Sequence, residues 1–172
     1  MVVFFVSMRY PVERTNYNKI VGKTRVDNIA KILREFGFTV ETKEPENHDV
    51  DVWVSKDGKL VLVIEVLNWR KMDYMDFDRL RSVVKNLGDP KYKNVAKLLV
   101  YSFDSNIRNR MDHLVNRDID FLEIGFQTQP QDFYAFYGDE VAAFCGMKPE
   151  GEETKRVLRE KLLVYLKSIG LL

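Results

Sequence analysis

The chain has 172 residues, 45% of them hydrophobic and 31% charged, with a formal net charge of +1. That balance suits one globular domain and excludes a disordered or fibrous chain. A single cysteine, Cys145, excludes an intramolecular disulfide framework and a cysteine-based zinc site, so a cytoplasmic setting is expected.

The opening MVVFFVSMRYP has no basic leader or small-residue cleavage site and reads as a strand. Val26, Ile29, Leu33 and Phe36 then recur at helical spacing between Thr24, a candidate N-cap, and Gly37, a stop. FTVETK at 38–43 alternates as a short strand. DVDVWVS at 49–55 alternates again, and Asp57-Gly58 turns the chain into KLVLVIEVL, which predicts a hairpin of two strands. The run LVLVI at 60–64 is far shorter than the roughly 20 residues that span a bilayer, so no membrane association is expected.

From Asp76 to Leu87 the apolar positions Leu80, Val83, Val84 and Leu87 share a helix face, ended by Gly88 and Pro90. AKLLVYSF at 96–103 reads as a buried strand, Asp104 or Ser105 caps a helix through Val115, and IDFLEIG at 119–125 is a further strand. The order is α, β, β, β, α, β, α, β: a mixed α/β sheet flanked by helices. After Phe126 come an aromatic patch (Phe133, Tyr134, Phe136, Tyr137), a short helix at 141–145 and a long helix at about 152–169. The expected organisation is a core at 1–125 and a helical extension at 126–172 packed on it, not an independent domain. The broad apolar face of the long helix suits closure over that core or a homodimer contact.

Charge is uneven. Residues 66–117 hold eleven Lys and Arg against six Asp, and 118–172 hold six against ten acids. A basic middle is compatible with a polyanion, and a solvated helix face explains such counts as well.

In a hairpin of 49–55 with 59–67, side chains alternate between faces, which can bring Asp51 and Glu65 together. Paired carboxylates repel unless a cation lies between them, and a hard divalent ion, Mg2+ or Mn2+, is the natural one. Such an ion polarises a phosphodiester oxygen and acidifies an attacking water. Strand-end acids also pair with surface lysines; Glu65, inside an aliphatic run, fits that bland role less well. Asp49 begins its strand beside His48, where turn chemistry attracts Asp. His113 and Cys145 read as ordinary packing or surface residues.

The run from Lys23 through Trp69, with LREFGFTV and then HDVDVWVSKDGKLVLVIEVLNW, resembles the PD-(D/E)xK nuclease superfamily, in its Mrr-like and archaeal Holliday-junction-resolvase branches. The resemblance runs to about residue 124 and implies a restriction-endonuclease-like αβββαβ core. It also implies metal ligands at Asp51, Glu65 and the helix acid Asp27, a DNA substrate, duplex or branched, and endonucleolytic hydrolysis. Asp27 has a second reading, because Thr24 and Asp27 approximate a capping box and the helix dipole favours an acid there. The family's Glu-x-Lys is broken, since Leu67 stands where the lysine belongs. Substitute cations are Lys71, Lys85, Arg70 and Arg81, and the expected DNA contacts are Arg70, Lys71, Arg79, Arg81 and Lys85. Leu67 equally supports a second reading, a degenerate nuclease fold that binds nucleic acid or assembles without catalysis. A nucleotidyltransferase reading of Asp49-Val50-Asp51 fails, because EPENH stands where a Gly-Ser turn is required.

Overall fold

The computed structural model describes residues 23, 25–44, 47–67, 77–101, 118–124 and 152–172. The expected N-terminal strand, the 105–116 helix with His113, the aromatic patch and the 141–145 helix with Cys145 lie outside these residues.

The first helix, α1, covers 25–35. Then follow β1 (Thr39–Thr42), β2 (Val52–Lys56), β3 (Lys59–Leu67), α2 (Phe77–Leu87), a 3-10 turn (Pro90–Tyr92), β4 (Ala96–Tyr101), β5 (Ile119–Glu123) and α3 (Glu152–Ser168). Gly37 stops α1 for a definite reason. Its φ is +99°, its N–H donates to the Arg34 carbonyl at 3.0 Å, and the Phe38 N–H donates to Leu33 at 3.1 Å. These are the paired bonds of a Schellman close, which needs a left-handed residue. The hairpin turn is as local: Asp57 and Gly58 both have positive φ, +53° and +76°, between the paired residues Lys56 and Lys59.

The five strands lie in the order β1-β2-β3-β4-β5, antiparallel through β3 and parallel from β3 to β5. The protein is thus α/β with a mixed sheet and, among the described residues, three helices. Each face of the sheet has its own apolar layer. Ile29, Ile32 and Leu33 of α1 and Leu158, Leu162 and Leu166 of α3 pack on Val52, Val54, Ile64, Val66, Leu98 and Val100. On the other face, Leu80, Val83, Val84 and Leu87 of α2 pack on Val63, Leu67, Leu99 and Tyr101. Among the described residues no helix is long and apolar enough to cross a membrane.

One boundary differs from expectation. The alternation of 49–55 predicts a strand from Asp49, whereas β2 begins at Val52. The side chains of the intervening acids compete with the backbone ladder: Asp49 Oδ1 accepts from the Val50 N–H at 2.7 Å, and Asp51 Oδ2 accepts from the Val66 N–H at 2.7 Å. Asp51 therefore stands at the edge of the ladder, its own backbone still bonded to Ile64 and Lys43 while its side chain takes the Val66 N–H.

Candidate metal centre

Strand alternation puts Glu65 on the same face as Val63 and Leu67, beneath α2. It is 2% exposed and Asp51 is 7% exposed. Asp51 is pinned by its backbone as well as its carboxylate. Its N–H donates to the Ile64 carbonyl at 3.1 Å, and its carbonyl accepts from the Lys43 N–H at 3.0 Å. That last bond sets Lys43 beside the site, and the Lys43 ammonium lies 3.2 Å from Asp51 Oδ1.

From α2, Asn86 reaches over the centre. Its Nδ2 donates to Glu65 Oε1 at 3.0 Å and lies 3.5 Å from the Asp49 carbonyl. Burial, first, and then the charge and hydrogen bonding of adjacent Asp51 push the Glu65 carboxyl up to about 9, with Asn86 and Lys43 opposing the shift. Glu65 holds its proton through neutral pH, and the two carboxyl groups are close enough to hydrogen-bond.

A second cluster braces the approach to Asp51. Asp49 accepts from the Tyr92 hydroxyl at 2.8 Å and from the Lys91 ammonium, while Tyr92 Oη accepts from Trp53 Nε1 at 2.7 Å. Burial works to raise the Asp49 carboxyl, but these donors and the Val50 N–H outweigh it and hold the group below the ordinary carboxylate value. The turn that carries Tyr92 is held in turn by buried Lys97, whose ammonium donates to the carbonyls of Tyr92 at 2.8 Å and Val95 at 3.0 Å.

The residues singled out by sequence fare unequally. Asp51 and Glu65 are brought together. Asp27 stands exposed on α1, whose buried side packs on the opposite sheet face from Glu65. Among the described residues there is no group of three or more His, Cys, Asp and Glu placed to hold a metal. Arg79, Arg81 and Lys85 are exposed on α2, with Arg81 3.7 Å from Asp78. It is Asn86, not Lys85, that α2 extends to Glu65, because the buried stripe of Leu80, Val83, Val84 and Leu87 leaves position 85 outward. Arg70 and Lys71 lie outside the described residues. Leu67 is 2% exposed in the apolar layer under α2. Sequence reasoning missed Lys43, Asn86 and Tyr92; the only local cue was that Lys43 ends the FTVETK alternation.

Two adjacent carboxyl groups offer the hard oxygen donors that Mg2+ or Mn2+ takes, and a divalent ion would displace the proton on Glu65. Mg2+ commonly keeps several waters and binds through one or two protein carboxylates, so the donor set fits.

No protein-family model matches the chain, and no curated protein matches it. Among solved structures the chain is similar to the crystal structure of a protein of unknown function, AF1548, at 15% identity over 86% of this chain and 78% of that one, with a TM-score of 0.41.

Proposed function

We propose that the chain is a nuclease-like DNA-binding protein with a restriction-endonuclease-like core, hydrolysing phosphodiesters at a centre made of Asp51, Glu65 and Lys43. The observation that carries this reading is the Lys43 ammonium, 3.2 Å from Asp51 Oδ1, which returns to the carboxylate pair the cation that Leu67 denies it. Asp51 and Glu65 would hold the divalent ion, which when bound supplies polarisation of the phosphate and a more acidic water. Lys43 is a compact point charge on a flexible stem, suited to follow charge developing on the phosphate oxygens. Asn86 fixes the Glu65 carboxyl. The exposed cations Arg79, Arg81 and Lys85 of α2 contact the DNA backbone and position it without reading sequence.

The test is cleavage of duplex, single-stranded and branched DNA with Mg2+ or Mn2+. Wild type is expected to cut, chelation to stop it, and Glu65→Gln and Asp51→Asn to fall to background. Lys43→Met is expected to lose about a hundredfold or more in rate while still binding DNA. Binding without cleavage of any substrate by wild type removes the hydrolase and leaves the holding module that buried Leu67 also favours.

A further inference from the structure

Beyond the carboxylate pair, the open face of β1 and β2 carries a trough of about 450 Å³. It lies within the range of small-molecule sites, roughly 300–1,000 Å³. Two cross-strand pairs make its floor, Thr39 opposite Ser55 and Glu41 opposite Trp53. Lys43 lines the trough and also pairs with Asp51, so the trough borders the carboxylate centre at this residue.

Resting on the nuclease reading, we infer that this trough receives one unpaired nucleobase of the DNA, next to the phosphate that would lie at the metal-loaded Asp51 and Glu65 centre. Three observations select a base over a phosphate. Glu41 and Glu44, both exposed, line the trough against the single cation Lys43, which is already engaged by Asp51, so a phosphate is repelled there. Trp53 is half-buried and oriented by its Nε1 bond to Tyr92 Oη, giving a fixed aromatic surface of the kind on which bases stack. Thr39, Thr42, Asn47 and Ser55, together with the two glutamates, supply acceptors and donors for a base edge, and the exocyclic amino groups of adenine and cytosine suit carboxylate acceptors. A base inside a duplex cannot reach such a site without leaving its stack, so bulges, junctions and single strands are the preferred substrates.

The chain has two tryptophans, so a Trp69→Phe protein leaves Trp53 as the sole indole emitter. This protein is titrated in chelator with three oligonucleotide duplexes: fully paired, carrying one unpaired adenine, and carrying an abasic analogue at that same position. Quenching of Trp53 by the adenine duplex, with roughly tenfold tighter binding than the abasic duplex, is the expected result. Thr39→Tyr, which fills the trough from an exposed position on β1, is expected to remove that preference and leave binding of the paired duplex unchanged. Equal binding of all three duplexes without quenching overturns the trough even where Glu65-dependent cleavage persists, and the nuclease reading then stands alone. Failure to bind any of the duplexes, both in chelator and with Ca2+ supplied in its place, overturns both.

Discussion

At the scale of single residues, the centre is governed by one proton on Glu65. Its folded value, pushed up to about 9, lies above the ordinary 4.5, so between those limits the folded chain binds a proton that the unfolded chain has released. The associated stability is complete below the unfolded value and is lost as pH rises toward the folded one. In chelator, the metal-free protein should therefore become less stable from pH 5 toward pH 9, with a slope approaching about 1.4 kcal/mol per pH unit. Glu65→Gln keeps the shape and the bond from Asn86 but cannot ionise, so chemical denaturation across that range should show most of the slope gone. An unchanged slope would place the proton elsewhere. The opposite sign holds for Asp49: its carboxyl lies below the ordinary value, so its contribution is present above that value and declines in acid.

The same residues show what a sequence can and cannot disclose. Glu65 announced itself because an acid in an aliphatic strand is visible locally, and Asp51 followed from alternation and the Asp-Gly turn. Lys43 and Asn86 did not, because each reaches the centre across segments whose pairing no local pattern encodes: the loop after β1 bonded to Asp51, and the last turn of α2 lying over β3. Asp27 illustrates the converse. As the acid of the first helix it fits the resemblance, yet α1 turns its apolar side to the sheet face away from Glu65 and leaves Asp27 exposed.

At the scale of elements, stability near the site depends on how the approach to β2 and the close of α1 are fixed. Tyr92 joins three segments, donating to Asp49 and accepting from Trp53. Tyr92→Phe keeps the ring and strands the Trp53 N–H in a half-buried position, which should cost about 1–3 kcal/mol in a denaturant melt. It should also blue-shift or broaden Trp53 emission as the indole loses its anchor, and an unaltered spectrum would argue that the bond does not orient the ring. At the α1 close, nothing lies within 4 Å of a Cβ added to Gly37, so Gly37→Ala tests the backbone alone. At φ +99° the substitution should destabilise by about 1–2 kcal/mol, readable as a lower denaturation midpoint at constant slope. A neutral result would show that the helix end relaxes to another close.

At the scale of the whole molecule, the two faces of the sheet divide labour. The α2 side carries the carboxylate pair, the brace around Asp49 and the trough, while the α1 and α3 side is an apolar layer. Leu158, Leu162 and Leu166 of α3 are each fully buried and share a cluster with α1 and the central strands, so residues far along the chain from Val66 and Val100 complete the core rather than decorate it. The final turn adds a polar tie from the Lys56 ammonium to the Leu171 carbonyl at 2.9 Å, and Arg159 pairs with Glu35 while lying over the Phe36 ring. Removing a buried leucine there leaves a cavity on the face opposite the centre. Leu162→Ala should accordingly cost about 2–5 kcal/mol while leaving any metal-dependent cleavage by the remaining folded protein within about twofold of wild type, since distant sites without shared partners act nearly additively. Truncation before Glu152 exposes the whole layer under α3 and should abolish the cooperative melt. A truncated chain that still melts cooperatively near the parent midpoint would make α3 an accessory, and the core would then have to close through α1 alone.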